Sequence, residues 1–196
     1  MPYINIATED PLSEAIAERL VTTCTGFEIS ERLGLRGKGH LYSNLKSYAE
    51  FANYCPLLLL ADLDQVECAP TLIADWRSSI NINPPQGFLF RIAVREVEAW
   101  LLADTVGCGS LLKSNKVPRD PDHLADPKAT LLRLAERAPR QIRDDLVVRS
   151  GQVASQGTGY NLRLRKFVIE EWNLVDAAAN SPSLERACRR LRELRD

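Results

Sequence analysis

Hydrophobic and polar positions in the first hundred residues switch repeatedly between the strand and helix periods. Residues 3–7 form a short apolar strand pattern. Asp10 then stands as a helix N-cap with Pro11 at the first helical position, and Leu12, Ile16 and Leu20 recur at helical spacing. Residues 27–31 alternate like a half-exposed second strand. Gly34, Gly37 and Gly39 predict a flexible loop carrying Arg36, Lys38 and His40, and Leu41, Leu45, Tyr48 and Ala52 mark a second helix. Pro56 opens the unbroken run Leu57, Leu58, Leu59, Leu60, which reads as a strand buried on both faces at the centre of a parallel sheet. A helix through Leu72, Ile73 and Trp76, a loop over 81–86, a fourth strand over 88–94 and a helix over 96–104 complete the series. Four strand–helix alternations predict an α/β fold with a mostly parallel, four-stranded Rossmann-like sheet flanked by helices.

The second half has another texture. Residues 107–126 look loop-rich, with Pro118 and Pro121. Asp126 caps a helix that has Pro127 at its first position. Residues 151–159 read as a Gly/Ser/Gln loop, 162–172 as a helix, and Ser181-Pro182 opens a last helix with Leu184, Ala187, Leu191 and Leu194 on its buried side. The expected organisation is an α/β core over 1–106 and a loop-rich, helical C-terminal extension over 107–196, packed together as one compact unit.

Composition excludes several classes. With 196 residues, 45% hydrophobic and 26% charged, the chain can form a core without disulfides or structural metal. The longest apolar run, residues 57–61, is far short of the roughly 20 residues that span a bilayer, and nothing at the start resembles a secretory leader, so no membrane partner is expected. Five cysteines without C-x-x-C spacing and two histidines argue against zinc and fit a reducing cytoplasm. The formal net charge of -1 hides an asymmetry: residues 1–98 carry 8 basic against 13 acidic side chains, and residues 99–196 carry 17 against 13. An acidic half beside a basic half suits a cation-loaded site with a grip on an anion.

Parallel sheets place their sites outside the carboxyl ends of the strands. Those ends carry Glu9-Asp10 after strand one, Asp62-Leu63-Asp64 after strand three, and Arg95-Glu96-Val97-Glu98 after strand four. Carboxylates gathered at one rim repel one another unless a cation binds, and hard oxygen donors suit Mg²⁺. Asp62 and Asp64, two apart in extended chain, point to one side. Asp10 also has the simpler role of a cap. On a helix, Glu96 and Glu98 would diverge by about 200°, so one of them is expected to reach the rim, with Glu98 favoured.

A Glu after strand one with D-x-D after strand three resembles the TOPRIM domain of topoisomerases, primases and overcoming-lysogenization-defect (OLD) nucleases. Over nearly the whole chain the sequence is more similar to the TOPRIM-like DUF4276 family. That similarity is carried by Gly37-Lys38-Gly39, by 60–64, by 91–104, by Asp126-Pro127-Lys128, by Gly159-Tyr160-Asn161 and by the last helix. The resemblance implies Mg²⁺- or Mn²⁺-dependent phosphodiester cleavage of DNA or RNA, an ATPase partner as in bacterial defence gene clusters, and admits a homodimer. It implies Glu9 as metal ligand or general acid/base, Asp62 and Asp64 as metal ligands, and Glu96 or Glu98 at a second ion. One departure stands out: where TOPRIM domains continue D-x-D into x-x-Gly, Asp64 is followed by Gln65-Val66-Glu67.

Basic residues would supply the other half of the chemistry. Lys38 in its glycine loop and Lys128 in the first turn of a helix can stabilise the charge of a phosphoryl transition state. Arg36, Lys38, Arg163, Arg165 and Lys166 are candidate contacts to nucleic acid, joined by Arg186, Arg189, Arg190, Arg192 and Arg195 on the last helix, where an amphipathic surface alone would also select them. Two other readings compete. Asp62-Leu63-Asp64-Gln65-Val66 fits the D-x-D-x-[TV] motif of haloacid-dehalogenase-type phosphatases, with Asp62 as nucleophile, but that motif ends the first strand of its fold and leaves Glu9 without a role. A TOPRIM-like scaffold that only binds a partner is the second.

Overall fold

The computed structural model describes residues 2–150 and 153–194. By its contacts the chain divides into two compact units: Met1–Val94 together with Arg186–Asp196, and Arg95–Glu185. The sequence reading set a boundary at 106/107; this division lies at 94/95.

The first unit contains β1 (Tyr3–Thr8), α1 (Pro11–Cys24), β2 (Glu28–Gly34), α2 (Lys38–Ser43), α3 (Leu45–Phe51), β3 (Leu57–Asp62), α4 (Ala69–Ser78) and β4 (Phe88–Ala93). Its four strands form one sheet in the order β2-β1-β3-β4, and every pairing is parallel. As the apolar run foretells, Leu57, Leu58, Leu59 and Leu60 are wholly buried in an interior strand. Leu59, Phe90 and Ile92 join Leu41, Leu45, Tyr48 and Trp76 in one apolar cluster, and α1 lies against β1, β2 and β3 with Leu12, Ile16 and Leu20 buried. Because β1 connects to β2 on one side and leads to β3 on the other, the sheet reverses its winding between β1 and β3. The crevice beyond their carboxyl ends is where such sheets bind ligands.

The second unit contains α5 (Val97–Ala103), α6 (Thr105–Leu112), a 3-10 turn at Pro121–His123, α7 (Pro127–Ala135), α8 (Arg140–Leu146), the antiparallel hairpin β5 (Val147–Ser150) and β6 (Val153–Gln156), α9 (Tyr160–Glu170) and α10 (Leu174–Asn180). Every residue of α5 is buried, and α7, α10 and the 3-10 turn pack on it. Trp100 Nε1 donates to Ser183 Oγ at 2.7 Å, and Asp122 accepts from Ser181 Oγ at 2.7 Å and Ser183 N at 2.8 Å. These bonds satisfy the start of α11 (Pro182–Arg192), whose residues from Arg186 onward belong to the first unit.

Several expectations are corrected. Lys38 and His40 lie in α2, not in a loop, and the expected single helix breaks at Asn44 into α2 and α3. The stretch 107–126 begins with α6, because Asp104 caps it: its carboxylate accepts from Gly107 N at 2.8 Å, and a Cβ on Gly107 would stand 2.1 Å from Asp104 Oδ2. Glycine there makes room for the cap and does not signal a loop. The expected loop over 151–159 holds β6, paired with β5; Gly151 and Gln152 lie outside the described residues, as does Arg195. Among the described residues, no helix is long and apolar enough to cross a membrane.

Candidate metal centre

Chain geometry brings Glu9, Lys38, Asp62 and Asp64 together at the β1/β3 crevice. Asp10 is committed elsewhere: its Oδ1 accepts from Leu12 N at 2.7 Å and Ser13 N at 3.1 Å, and its Oδ2 from Ser13 Oγ at 2.8 Å. Glu9, the residue before it, is left to face β3, where its Oε1 accepts from Asp62 N at 2.9 Å. One carboxylate therefore spans the two strand ends. Burial pushes the Glu9 carboxyl above the usual carboxylate range; Asp64 and Asp10 add to that shift, while the Asp62 amide and Lys38 oppose it.

The β2–α2 turn carries Lys38 to this rim. Gly34 has φ +101° and lies so close to β1 that a Cβ would stand 2.2 Å from Thr8 O. Leu35 N then donates to Thr8 O at 2.9 Å and Gly37 N to Glu9 O at 3.0 Å, so the turn is laced to the end of β1. Lys38 Nζ donates to Asp62 O at 2.6 Å and to Asp64 Oδ2 at 2.7 Å. Asp64 takes φ +54°, a left-handed conformation that Asp tolerates better than most residues. The turn after the second Asp is thus made without the glycine that TOPRIM domains use.

The second unit has its own acid cluster. Glu96 occupies the N-cap position of α5 in extended conformation, outside the helical turn, so the 200° divergence does not apply. Its Oε2 accepts from Lys128 N at 3.1 Å, and Lys128 Nζ lies 3.8 Å from Glu96 Oε1 and 3.3 Å from Glu98 Oε1. Both glutamates reach one lysine. Glu98 is 2% exposed; its Oε1 accepts from Tyr160 Oη at 2.7 Å, while its Oε2 is buried with no hydrogen-bond partner. Burial pushes the Glu98 carboxyl up, Lys128 and Tyr160 oppose that shift, and Glu96 reinforces it. Tyr160 was not among the site residues read from sequence. The available signal was a tyrosine at a helix start that must find a partner for its hydroxyl once buried.

Among the described residues, no group of three or more His, Cys, Asp or Glu side chains stands ready to hold a metal ion. The donor chemistry nonetheless suits a hard divalent cation. Mg²⁺ takes one or two carboxylates and completes its shell with water and substrate phosphate, so it does not require a closed cage of three acids. In the second unit, the orphaned Glu98 Oε2 is an acceptor that a cation would satisfy.

The chain superposes on the C-terminal region of the Burkholderia pseudomallei OLD protein with a TM-score of 0.53, at 14% identity, over 98% of each chain. It has that fold. No protein-family model matches the chain, and no curated protein matches it in sequence.

The remaining candidates scatter over this OLD-like fold. Arg36 is exposed in the turn before Lys38. Arg163 pairs with Asp145, and Lys166 lies 3.8 Å from Glu170. Arg165 is half-buried on α9, its Nε without a hydrogen-bond partner. Arg163 and Lys166 thus already hold local carboxylates on their own unit. His40 sits beside Asn44 in α2, away from any carboxylate that the structure records for it.

Proposed function

We propose that this chain is a divalent-metal-dependent nuclease of the TOPRIM type, hydrolysing phosphodiester bonds of DNA or RNA with Mg²⁺ or Mn²⁺. The observation that carries the reading is the Glu9 Oε1 to Asp62 N bond, which joins an acid from β1 to the D-x-D of β3 at the sheet's switch point. The fold shared with the OLD C-terminal region supports it, as does the TOPRIM resemblance of the same residues. The D-x-D ends the third strand, so the phosphatase reading gains nothing from the fold.

Asp62 and Asp64 would hold the ion, with Glu9 either as a further ligand or as the general acid/base; the ion when bound polarises a phosphoryl oxygen and makes bound water acidic enough to attack. The protein's own groups do the rest. Glu9 keeps one oxygen on the Asp62 amide, and its raised proton affinity fits the second oxygen to exchange a proton at the rim. Lys38 neutralises Asp64 and holds a positive charge beside the place where phosphoryl charge develops. Glu96 and Glu98 are assigned to a second ion, with Lys128 as their counter-charge. An ATPase partner, membership of DUF4276, a part in phage defence and a cytoplasmic home complete the proposal.

The test is degradation of plasmid DNA, single-stranded DNA and tRNA with Mg²⁺ or Mn²⁺, wild type beside Glu9→Ala and Asp62→Ala, with p-nitrophenyl phosphate as the phosphatase control. Cleavage lost in both variants is the expected result. Cleavage surviving both, or hydrolysis of the monoester alone, overturns it.

A further inference from the structure

Tyr160 stands where the chain has little freedom. Gly157 N donates to Leu146 O at 2.9 Å, and a Cβ on Gly157 would stand 2.4 Å from Asp145 O. A Cβ on Gly159 would stand 2.9 Å from the Cβ of Asp145. The turn before α9 is thus pressed against the end of α8 more closely than any residue with a side chain allows. Within α9, Arg163 Nε donates to Asp145 Oδ2 at 2.9 Å and ties the first turn to the same place. Between these anchors Tyr160 is 1% exposed, and its hydroxyl meets Glu98 Oε1 at 2.7 Å. Phenylalanine would fill the same space, so packing alone does not call for the hydroxyl.

The partners of Glu98 are divided unequally between its oxygens. Tyr160 Oη and Lys128 Nζ, the latter at 3.3 Å, both meet Oε1, while Oε2 is buried with no hydrogen-bond partner. A carboxylate buried only to support a fold is normally satisfied on both oxygens, because a bare acceptor out of water costs stability. Glu96 is also anchored on one side: its Oε2 accepts from Lys128 N at 3.1 Å, and its Oε1 lies 3.8 Å from Lys128 Nζ. Each glutamate is tied down through one oxygen, as carboxylates that ligate a metal are tied by hydrogen bonds from outside the ligand shell. The last torsion of a glutamate side chain is soft, so a carboxylate held by Lys128 alone could turn both oxygens to the ammonium.

We propose that Tyr160 is a positioning residue of the second-ion site: its hydroxyl holds Glu98 Oε1, stops the carboxylate from turning onto Lys128, and so keeps Oε2 for the cation. Tyr160 acts through Glu98 and not on the ion. This role rests on the reading above that Glu96 and Glu98 serve a second ion, and adds to it the residue that fixes the geometry of that site.

The experiment is a Mn²⁺ titration of the full chain without nucleic acid, with free Mn²⁺ read by electron paramagnetic resonance. Wild type is expected to bind two ions, one lost in Asp62→Ala and the other in Glu98→Gln. Tyr160→Phe is expected to keep the first and to weaken the second about 10- to 100-fold. Lys128→Met should return more affinity to the Tyr160→Phe chain than it adds to wild type, because Glu98 then has no ammonium to turn to. A tyrosine that only packs would show no such coupling. Unchanged second-ion affinity in Tyr160→Phe, whatever its melting temperature, would overturn the positioning role, and so would equal gains from Lys128→Met in the two backgrounds. A wild type holding one ion, lost in Asp62→Ala, would overturn it too and leave the nuclease reading standing. Two ions bound, the second weakened by Tyr160→Phe, without Mn²⁺-dependent cleavage of any nucleic acid, would keep the positioning role and overturn the nuclease.

Discussion

At the strand ends of the first unit, Glu9 and Asp64 are part-exposed, and each meets a strong donor: a backbone amide for Glu9, the Lys38 ammonium for Asp64. In the second unit Glu98 is buried to 2% exposure, clamped on one oxygen by Tyr160 and Lys128 and left bare on the other. The same chemical group is thus held once on an open rim and once in a buried pocket of side chains around Tyr160 and Lys128. On the rim, solvent shares in stabilising the charge, so a counter-cation such as Lys38 can exchange with another cation at little cost. In the pocket the charge relies on two protein partners. The rim can trade one cation for another, whereas the buried glutamate is held in a fixed arrangement.

The largest expected effect separates the two by activity. Asp62→Ala on the rim should lower metal-dependent cleavage by at least about 100-fold, whereas Tyr160→Phe, which only orients Glu98, should cost about 10- to 100-fold. Initial rates on one substrate at saturating Mn²⁺ measure both. Next comes stability. Lys128→Met leaves Glu96 and buried Glu98 without their cation and should cost about 2–3 kcal/mol in urea denaturation. Lys38→Met, facing the 47%-exposed Asp64 side chain, should cost under about 1 kcal/mol. Equal losses would erase the distinction between rim and pocket. Tyr160→Phe removes one hydrogen bond to a buried acceptor and should cost about 1–2 kcal/mol, with its packing kept.

The smallest effect is in the pH dependence. Glu98 binds its proton more tightly folded than unfolded, so this group favours the fold at low pH and loses that contribution as pH rises from the usual carboxylate range through its raised value. Glu98→Gln should therefore gain stability over wild type towards neutral pH, the difference closing below about pH 4. Glu9→Gln should follow the same sign with smaller amplitude, because the Glu9 carboxyl is less buried. Denaturation midpoints across pH 3–8 measure both, and an opposite sign for Glu98 would mean that Lys128 outweighs burial.

Local signals carried a good deal of this molecule. Strand and helix periods, the Asp10-Pro11 and Asp126-Pro127 starts and the buried leucine run all reappear in the fold, because each depends on residues within one or two turns. The acids at the strand ends were legible for the same reason. Where the reading failed, the competing interaction came from far along the chain. Gly107 and Gly109 resemble a loop until Asp104 is seen to need the space at 107 and the Ser114 carbonyl at 109, and the second strand runs on to Gly34 because the end of β1 takes it up.

What the sequence determined by itself is therefore the alternating α/β pattern, its central strand, and an acidic set waiting at the carboxyl ends. Only the tertiary structure decided which acids meet. The strand order β2-β1-β3-β4 places Glu9 on Asp62, 53 positions away; another order of the same strands would part them. The extended cap conformation of Glu96 brings it and Glu98 to one lysine, against the geometry of a continuous helix. Tyr160 reaches Glu98 across 62 positions. The reason is common to all of them: periodicity is a property of neighbours in the chain, whereas charge pairing is a property of neighbours in space.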